Sequence, residues 1–440
     1  MAERSTLPLL DRPLDGVFAV RDGEPVTVAR FLGDVHALAE RIPQRGAVIN
    51  LARDRYRFQV AFAAALCRGL CTLLPPNDTV GAQLSVSEGH DSPTLLHDGA
   101  ELAAGMPAYD LRQDLGTKVS TKVPQIEADT VVSRSFTSGS TGAGSEVVRR
   151  WRTHFHGVEL NATTYLAGLA ETSGMVATVP AQHMYGMEVT VMAPLRLPVV
   201  IASSRPLYPA DVATALAQVP TPRVMVSTPL HLKAMLGSQA RFPAIQRVIS
   251  ATAPLDAALA SQLEERFGAQ LIDVYGCSET GCLATRRVAV EPRWRAIPGF
   301  RFHTRNGETR VSADHLPGPV IVQDQLRMDD DGHLHFEGRS ADLVNVAGKR
   351  GSLAALTALL KQAPGVEDGV IFLPRTRAGG RLAGAYSGEA APATVHAYLA
   401  GHVDAALLPR PLLRVGALPY NDTGKLPLGA LEQLLERRET

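Results

Sequence analysis

Arg223-Val-Met-Val-Ser-Thr-Pro-Leu-His-Leu-Lys-Ala-Met-Leu236, followed by Arg247-Val-Ile-Ser250, decides the fold. The first five residues are a short apolar run without strict polar alternation, as expected of a strand covered on both faces. Pro229 then opens a helix-like segment to Leu236, and Arg247–Ser250 repeats the strand pattern. Working outward, similar apolar runs stand at Met175–Val179, Pro198–Ala202 and Gln270–Val274, with helical patterns at Pro209–Val219 and Leu255–Phe267, where Asp256 falls in an acidic first turn. Strand, helix, strand at this spacing predicts a parallel sheet with helices on its faces. Residues 1–130 read similarly but less regularly, with Tyr56–Leu70 as an amphipathic helix.

Beyond residue 283 the pattern changes. Residues 283–338 hold short alternating strands broken by Gly and Pro, including the hairpin signal Asp329-Asp-Asp-Gly332, and so read as a small antiparallel β unit. The tail predicts a helix near Leu353–Gln362, strands near 366–374 and 381–386, and a helix near Thr394–Leu407. The expected fold class is α/β. A large N-terminal domain (1–338) carries parallel sheets with covering helices plus the β unit; a hinge (339–342) leads to a small mobile α+β lid (343–440).

Composition narrows the function. A chain of 440 residues exceeds one ordinary core. Lys plus Arg and Asp plus Glu both number 44, so the formal charge is zero and no general field draws in nucleic acid or anionic lipid. No apolar run approaches the roughly 20 residues that span a bilayer. The start, Met1 to Ser5, lacks a signal-peptide pattern, which places the expected site of action in the cytoplasm. The four cysteines, Cys67, Cys71, Cys277 and Cys282, lack C-x-x-C spacing and are expected as reduced, partly buried thiols rather than zinc ligands.

The chemistry-bearing stretch is Ser135-Phe-Thr-Ser-Gly-Ser-Thr-Gly-Ala-Gly-Ser-Glu146, between a β-rich segment and a helix expected from about Arg152. Glycines let backbone N–H groups turn toward phosphate oxygens, and the hydroxyls add donors. Gly139 and Gly144 have Walker-loop spacing, but Ser145 stands where that loop needs Lys. Val274-Tyr-Gly-Cys-Ser-Glu-Thr-Gly281 follows the last apolar strand, at the sheet edge where open α/β folds bind ligands. Asp324, Gly338-Arg339 and Gly424-Lys425 complete the series.

In this order and spacing, with His183 before Gly186, the motifs resemble those of the adenylate-forming superfamily: acyl- and aryl-CoA synthetases, luciferases and peptide-synthetase adenylation domains. The resemblance runs from about residue 130 to 430. It implies that Thr137, Ser138, Gly139, Ser140, Thr141 and Gly142 cradle the ATP phosphates. It further implies that Tyr275 and Gly276 meet adenine, that Thr252, Ala253 and Pro254 border it, and that Asp273 belongs to the same site. Ser278 would contact the α-phosphate, and Glu279 with Thr141 would hold Mg²⁺, a hard cation suited to oxygen ligands. Asp324 and Arg339 would bind ribose, and Lys425 would bridge carboxylate and α-phosphate during attack. Glu279, His183 and Lys425 are the catalytic candidates. The chain departs from the family pattern at Gly144-Ser145, where Pro-Lys is usual, so Arg149 and Arg150 are the nearby cations that could substitute.

For the acid, the expected pocket comprises His183, Met184, Tyr185, Met187, Ser227, Ala251 and Cys277. For the acceptor, Gly348, Lys349 and Arg350 would line the path of a pantetheine arm, and Arg375, Arg377, Arg381, Arg410 and Arg414 could meet an acidic carrier. The short chain, the Asn345–Leu353 run and the loop without lysine are similar to stand-alone ligases of xanthomonadin and aryl polyene pigment clusters. That similarity implies loading of 4-hydroxybenzoate onto an acyl carrier protein acting in trans. Free coenzyme A as acceptor, a low-turnover adenylate-binding protein and a Walker-type kinase are the alternatives.

Overall fold

Strands buried on both faces build the central sheet. Val17–Arg21, Val199–Ala202, Ser173–Ala177, Arg223–Ser227, Arg247–Ser250 and Gln270–Cys277 lie side by side in that order, every pair parallel. Helices Pro209–Gln218, Pro229–Leu236 and Ala257–Phe267 cover one face, packing Val212, Leu216, Leu232, Met235 and Leu263 against Val176, Val200, Met225 and Val248. Asp256 caps the last of these, accepting from Leu259 N at 2.8 Å, rather than standing inside its first turn.

The computed structural model describes residues 5–90, 93–113, 118–136, 146–169, 172–305, 308–339, 343–346, 349–375, 381–421 and 424–436. Two units emerge: 1–301 with 311–320 and 330–334, and 302–310 with 321–329 and 335–440. Residues of the expected β unit are thus divided between the two. The proposed hinge at 339–342 falls largely outside the described residues.

In the first unit a second sheet runs Glu146–Arg150, Val131–Phe136, Cys71–Leu74, Ala47–Asn50, Thr94–His97 and Ala108–Asp110, parallel except for its first pair. Helix Arg55–Cys67 packs against strands of both sheets. It is therefore not amphipathic as expected: 11 of its 13 residues are buried. Arg55 is among them, donating to Val179 O at 2.6 Å and to Thr190 Oγ1. Cys71 starts the strand that follows that helix.

The second unit carries a three-stranded sheet of Val366–Phe372, Ala383–Gly388 and Leu412–Arg414. Helices Leu353–Gln362, Pro392–Ala400 and Leu428–Glu436 accompany it. Asp368 joins its parts, accepting from Tyr420 Oη and pairing with Lys361, both at 2.6 Å. Among the described residues no helix is long and apolar enough to cross a membrane.

Candidate active site

Register fixes what projects beyond the main sheet. The last parallel pairing on its outer side is Ser250 with Asp273, so Tyr275, Gly276 and Cys277 overshoot the edge. They remain a strand because Gly281–Arg286 folds back antiparallel: Tyr275 pairs with Ala284, Gly276 with Cys282 and Cys277 with Gly281. A bulge between Tyr275 and Gly276 turns the tip. Gly276 is required there, since a Cβ would lie 2.3 Å from Gly281 O. Ser278 and Glu279 form the half-buried tip, with Thr280 buried behind them.

A chain of polar and aromatic contacts props this tip. The buried Asp273 carboxylate accepts from Arg286 Nε and Nη2 at 3.0 and 2.9 Å. The Arg286 guanidinium lies 4.2 Å from the Trp294 ring centroid, and Trp294 meets Tyr275 edge-on at 5.8 Å. Asp273 therefore serves the support of Tyr275. Burial raises its carboxyl to about 6 despite the arginine.

Beside the tip, Ala251–Pro254 follows Arg247–Ser250. Thr252 has φ +83°, a left-handed conformation rare for a β-branched residue and costing about 1–3 kcal/mol. Such strain persists only where the surrounding structure holds it.

The segment after Ser173–Ala177 closes the other side. His183 precedes the turn Met184–Gly186, which widens into a π-helix, Met187–Met192. Gly186 permits this turn, as a Cβ would stand 1.8 Å from Pro180 O. Tyr185 reaches across the strand ends and donates to Ile249 O at 2.9 Å. His183 and Met184 are half-buried, while Met187, Ala251 and Ser227 are buried. Cys277 Sγ lies 3.0 Å from Thr280 Oγ1, and burial pushes its thiol up to about 12. A polar trio sits at the same edge: Thr178 Oγ1 is 2.9 Å from both Ser227 Oγ and His231 Nδ1.

The glycine-rich loop, Thr137 to Ser145, lies outside the described residues, but its flanking strands pair up to Phe136 with Glu146. The strand Glu146–Arg150 stands where only a later helix was expected, and that helix begins at Trp151. Arg149 is buried and donates to Ser278 O at 2.7 Å. Glu188 accepts from Cys282 N at 3.1 Å and from Asn161, with its carboxyl raised by burial.

Tyr185, Ser227, Ala251–Pro254 and Tyr275–Glu279 are thus brought to one edge of the first unit. Asp324, Arg339 and Lys425 belong to the second unit. Asp324 is buried at the start of a strand and Arg339 ends another. Lys425 is exposed on a tight loop, where its N–H donates to Asn421 Oδ1 at 2.9 Å and Gly424 takes φ +73°. Lys349 and Arg350 stand in the strand Lys349–Ser352, while Gly348 and Arg377 lie outside the described residues. Trp294, Arg286, Thr178 and His231 escaped the sequence reading, whereas Arg149 was one of its two candidates for the missing loop cation. The signal for Arg149 was its place as one of two adjacent cations just past a loop that has none; the other four carried none.

For Mg²⁺ the fit is partial but chemically sound. Among the described residues no group of three His, Cys, Asp or Glu could hold a metal. Glu279 at the tip supplies one carboxylate, which suits an ion that takes one or two protein ligands plus phosphate oxygens.

Residues 50–320 match the family described as AMP-binding enzyme. A 4-coumarate–CoA ligase of Rhodobacter capsulatus is 30% identical over 66% of this chain and 73% of its own length. A 3,4-dihydroxybenzoate–[aryl-carrier protein] ligase of Bacillus anthracis is 22% identical over 68% and 72%. Among solved structures, the o-succinylbenzoate CoA synthetase of Bacillus subtilis with its acyl-adenylate superposes with a TM-score of 0.79 at 15% identity, covering 95% of both chains. MatB of Rhodopseudomonas palustris with ATP gives 0.79 at 16%, covering 97% of both.

Proposed function

This chain belongs to the AMP-binding enzyme family, an ATP- and Mg²⁺-dependent, AMP-forming acid–thiol ligase, and we propose that its acid is a hydroxylated aromatic carboxylate, with 4-hydroxybenzoate foremost. In this reading the acid's carboxylate oxygen attacks the α-phosphorus of ATP, the P–O bond to the β-phosphate breaks, and pyrophosphate leaves. A phosphopantetheine thiol then attacks the mixed anhydride, its proton passes to solvent, and AMP leaves with the bond electrons. Mg²⁺, when bound, offsets phosphate charge. Glu279 is its proposed protein ligand. Tyr275 offers a ring face for adenine, held by Trp294. Lys425 is the proposed cation that offsets the charge developing at the α-phosphate, a term worth about 10²–10³ in rate when a comparable donor is removed.

The observation that carries the aromatic, hydroxylated acid is the trio of buried Thr178 and Ser227 with half-buried His231, beside Tyr185 at the strand ends. A flat ring packs against Tyr185, and a ring hydroxyl finds hydroxyl or imidazole partners instead of an unmatched apolar wall. The 4-coumarate and 3,4-dihydroxybenzoate ligases among the relatives support it. The acceptor we propose is an acyl carrier protein in trans, in aryl-pigment biosynthesis. The 30% identity to a CoA ligase favours coenzyme A as the second reading.

A panel of benzoate, hydroxybenzoates, 4-coumarate and medium-chain fatty acids, scored by pyrophosphate release, tests the acid. Holo-carrier and coenzyme A at equal concentration test the acceptor. The expected result is preference for 4-hydroxybenzoate over benzoate that falls about tenfold in Ser227→Ala, as one lost buried hydrogen bond is worth about 1–3 kcal/mol. Preference for fatty acids would overturn the aromatic assignment.

A further inference from the structure

The Ser278–Glu279 tip is tied to the second sheet by a buried cation. Arg149 belongs to Glu146–Arg150, outside the sheet that holds Ser278. Its side chain is 4% exposed, its Nη2 donates to Ser278 O, and its buried Nε has no partner. Among the described residues no carboxylate lies within ion-pair distance of it. The acid with the strongest electrostatic pull on it is Glu188, already occupied by Asn161 and Cys282 N and pushed by burial toward its neutral form.

A guanidinium taken out of water with only a carbonyl in contact is costly unless a counter-charge arrives. The loop from Thr137 to Ser145 contains no Lys or Arg. Of the two cations that follow it, Arg150 is committed to Asp129 O. Among the described residues, Arg149 is the one of these two that bonds the tip.

Resting on the ligase reading above, we propose that Arg149 is a positioning residue of the nucleotide site: it fixes the Ser278–Glu279 tip through the Ser278 carbonyl, and the triphosphate of ATP supplies its missing counter-charge. The cation that a glycine-rich phosphate loop ordinarily carries is thereby moved onto the strand beyond it. Two functions follow for one side chain, a tether and a charge, and they can be separated. Glutamine keeps an N–H donor for the carbonyl but no charge; lysine keeps the charge.

The test is acid-dependent exchange of labelled pyrophosphate into ATP by the full-length enzyme and by Arg149→Gln and Arg149→Lys, with the unfolding midpoint of each measured with and without Mg-ATP. The expected result is an ATP KM raised at least tenfold in Arg149→Gln, with the acid KM within twofold of wild type. Arg149→Lys should recover most of the loss, and Ser145→Lys added to Arg149→Gln should recover part of it. Equal loss for ATP and acid, an unchanged ATP KM, or failure of even Arg149→Lys to fold would overturn the proposal and leave Arg149 a structural residue. Absence of exchange in the wild-type enzyme would instead overturn the ligase reading itself.

Discussion

Asp273 illustrates at residue scale how one buried charge sets the direction of a site. It pulls in Arg286, whose guanidinium spreads over Trp294, whose edge meets Tyr275. Removing the arginine leaves a buried carboxylate unpaired, so Arg286→Met should destabilise the protein by about 3 kcal/mol in chemical denaturation. Asp273→Asn combined with Arg286→Met should recover a good part of that loss, since the charge that needed pairing is gone. None of this chain was legible in sequence. Arg286 and Trp294 come from strands whose pairing depends on a hairpin closing beyond Cys277, and no local pattern announces it. Tyr275, Ser278 and Glu279 were legible because the motif carries its own spacing.

At the scale of elements, a helix, a strand and a turn show where periodicity fails. Arg55–Cys67 packs between two sheets and buries nearly its whole circumference, so its apparent amphipathy was misread. Glu146–Arg150 alternates exposed and buried residues but carries so many charges that it read as a prelude to the following helix. The turn at Met184–Gly186 rests on a glycine whose necessity is tertiary. Gly186→Ala should cost about 1–3 kcal/mol by overpacking against Pro180 and lower affinity for the acid. Gly81→Ala, in an open position of helix Val80–Ser87, should be neutral or stabilise by up to about 1 kcal/mol. Thermal unfolding of the pair checks both.

Helix Trp151–Ala162 adds a pH dependence. His154 is buried with Nε2 3.1 Å from Ser133 Oγ, and burial, then Arg149, lowers its pKa to about 3. The unfolded chain binds a proton that the folded chain refuses, so the stability from this group is whole above about pH 6.5 and is lost as pH falls toward 3. His315 behaves alike, lowered to about 4 by burial and Arg149. Asp273 works the other way, its cost to folding relieved as pH drops from about 6 to 4. The difference between wild type and His154→Gln isolates the histidine: the variant's unfolding midpoint should fall less steeply between pH 6.5 and 4.5.

For the whole molecule, a formal charge of zero leaves partner choice to local patches. In the second unit Arg381, Arg410 and Arg414 are exposed around one sheet edge, where Arg410 N bonds Leu382 O and Arg414 pairs in register with Tyr386. Reversing two of these charges should raise the KM for an acidic carrier about tenfold and leave adenylate formation intact, because such rim charges act on encounter. Steady-state loading and pyrophosphate release, measured side by side, decide it. The alternation of strand and helix made the α/β class readable, since covered strands have an unmistakable composition. The division of residues 302–338 between two units was not, as it depends on packing between distant segments.

The most direct measurement of the central claim is exchange of labelled pyrophosphate into ATP with 4-hydroxybenzoate, in wild type and Lys425→Ala. Exchange that requires the acid and falls at least about a hundredfold in the variant is the predicted result. Exchange indifferent to the acid, or to the loss of that ammonium, would contradict the account.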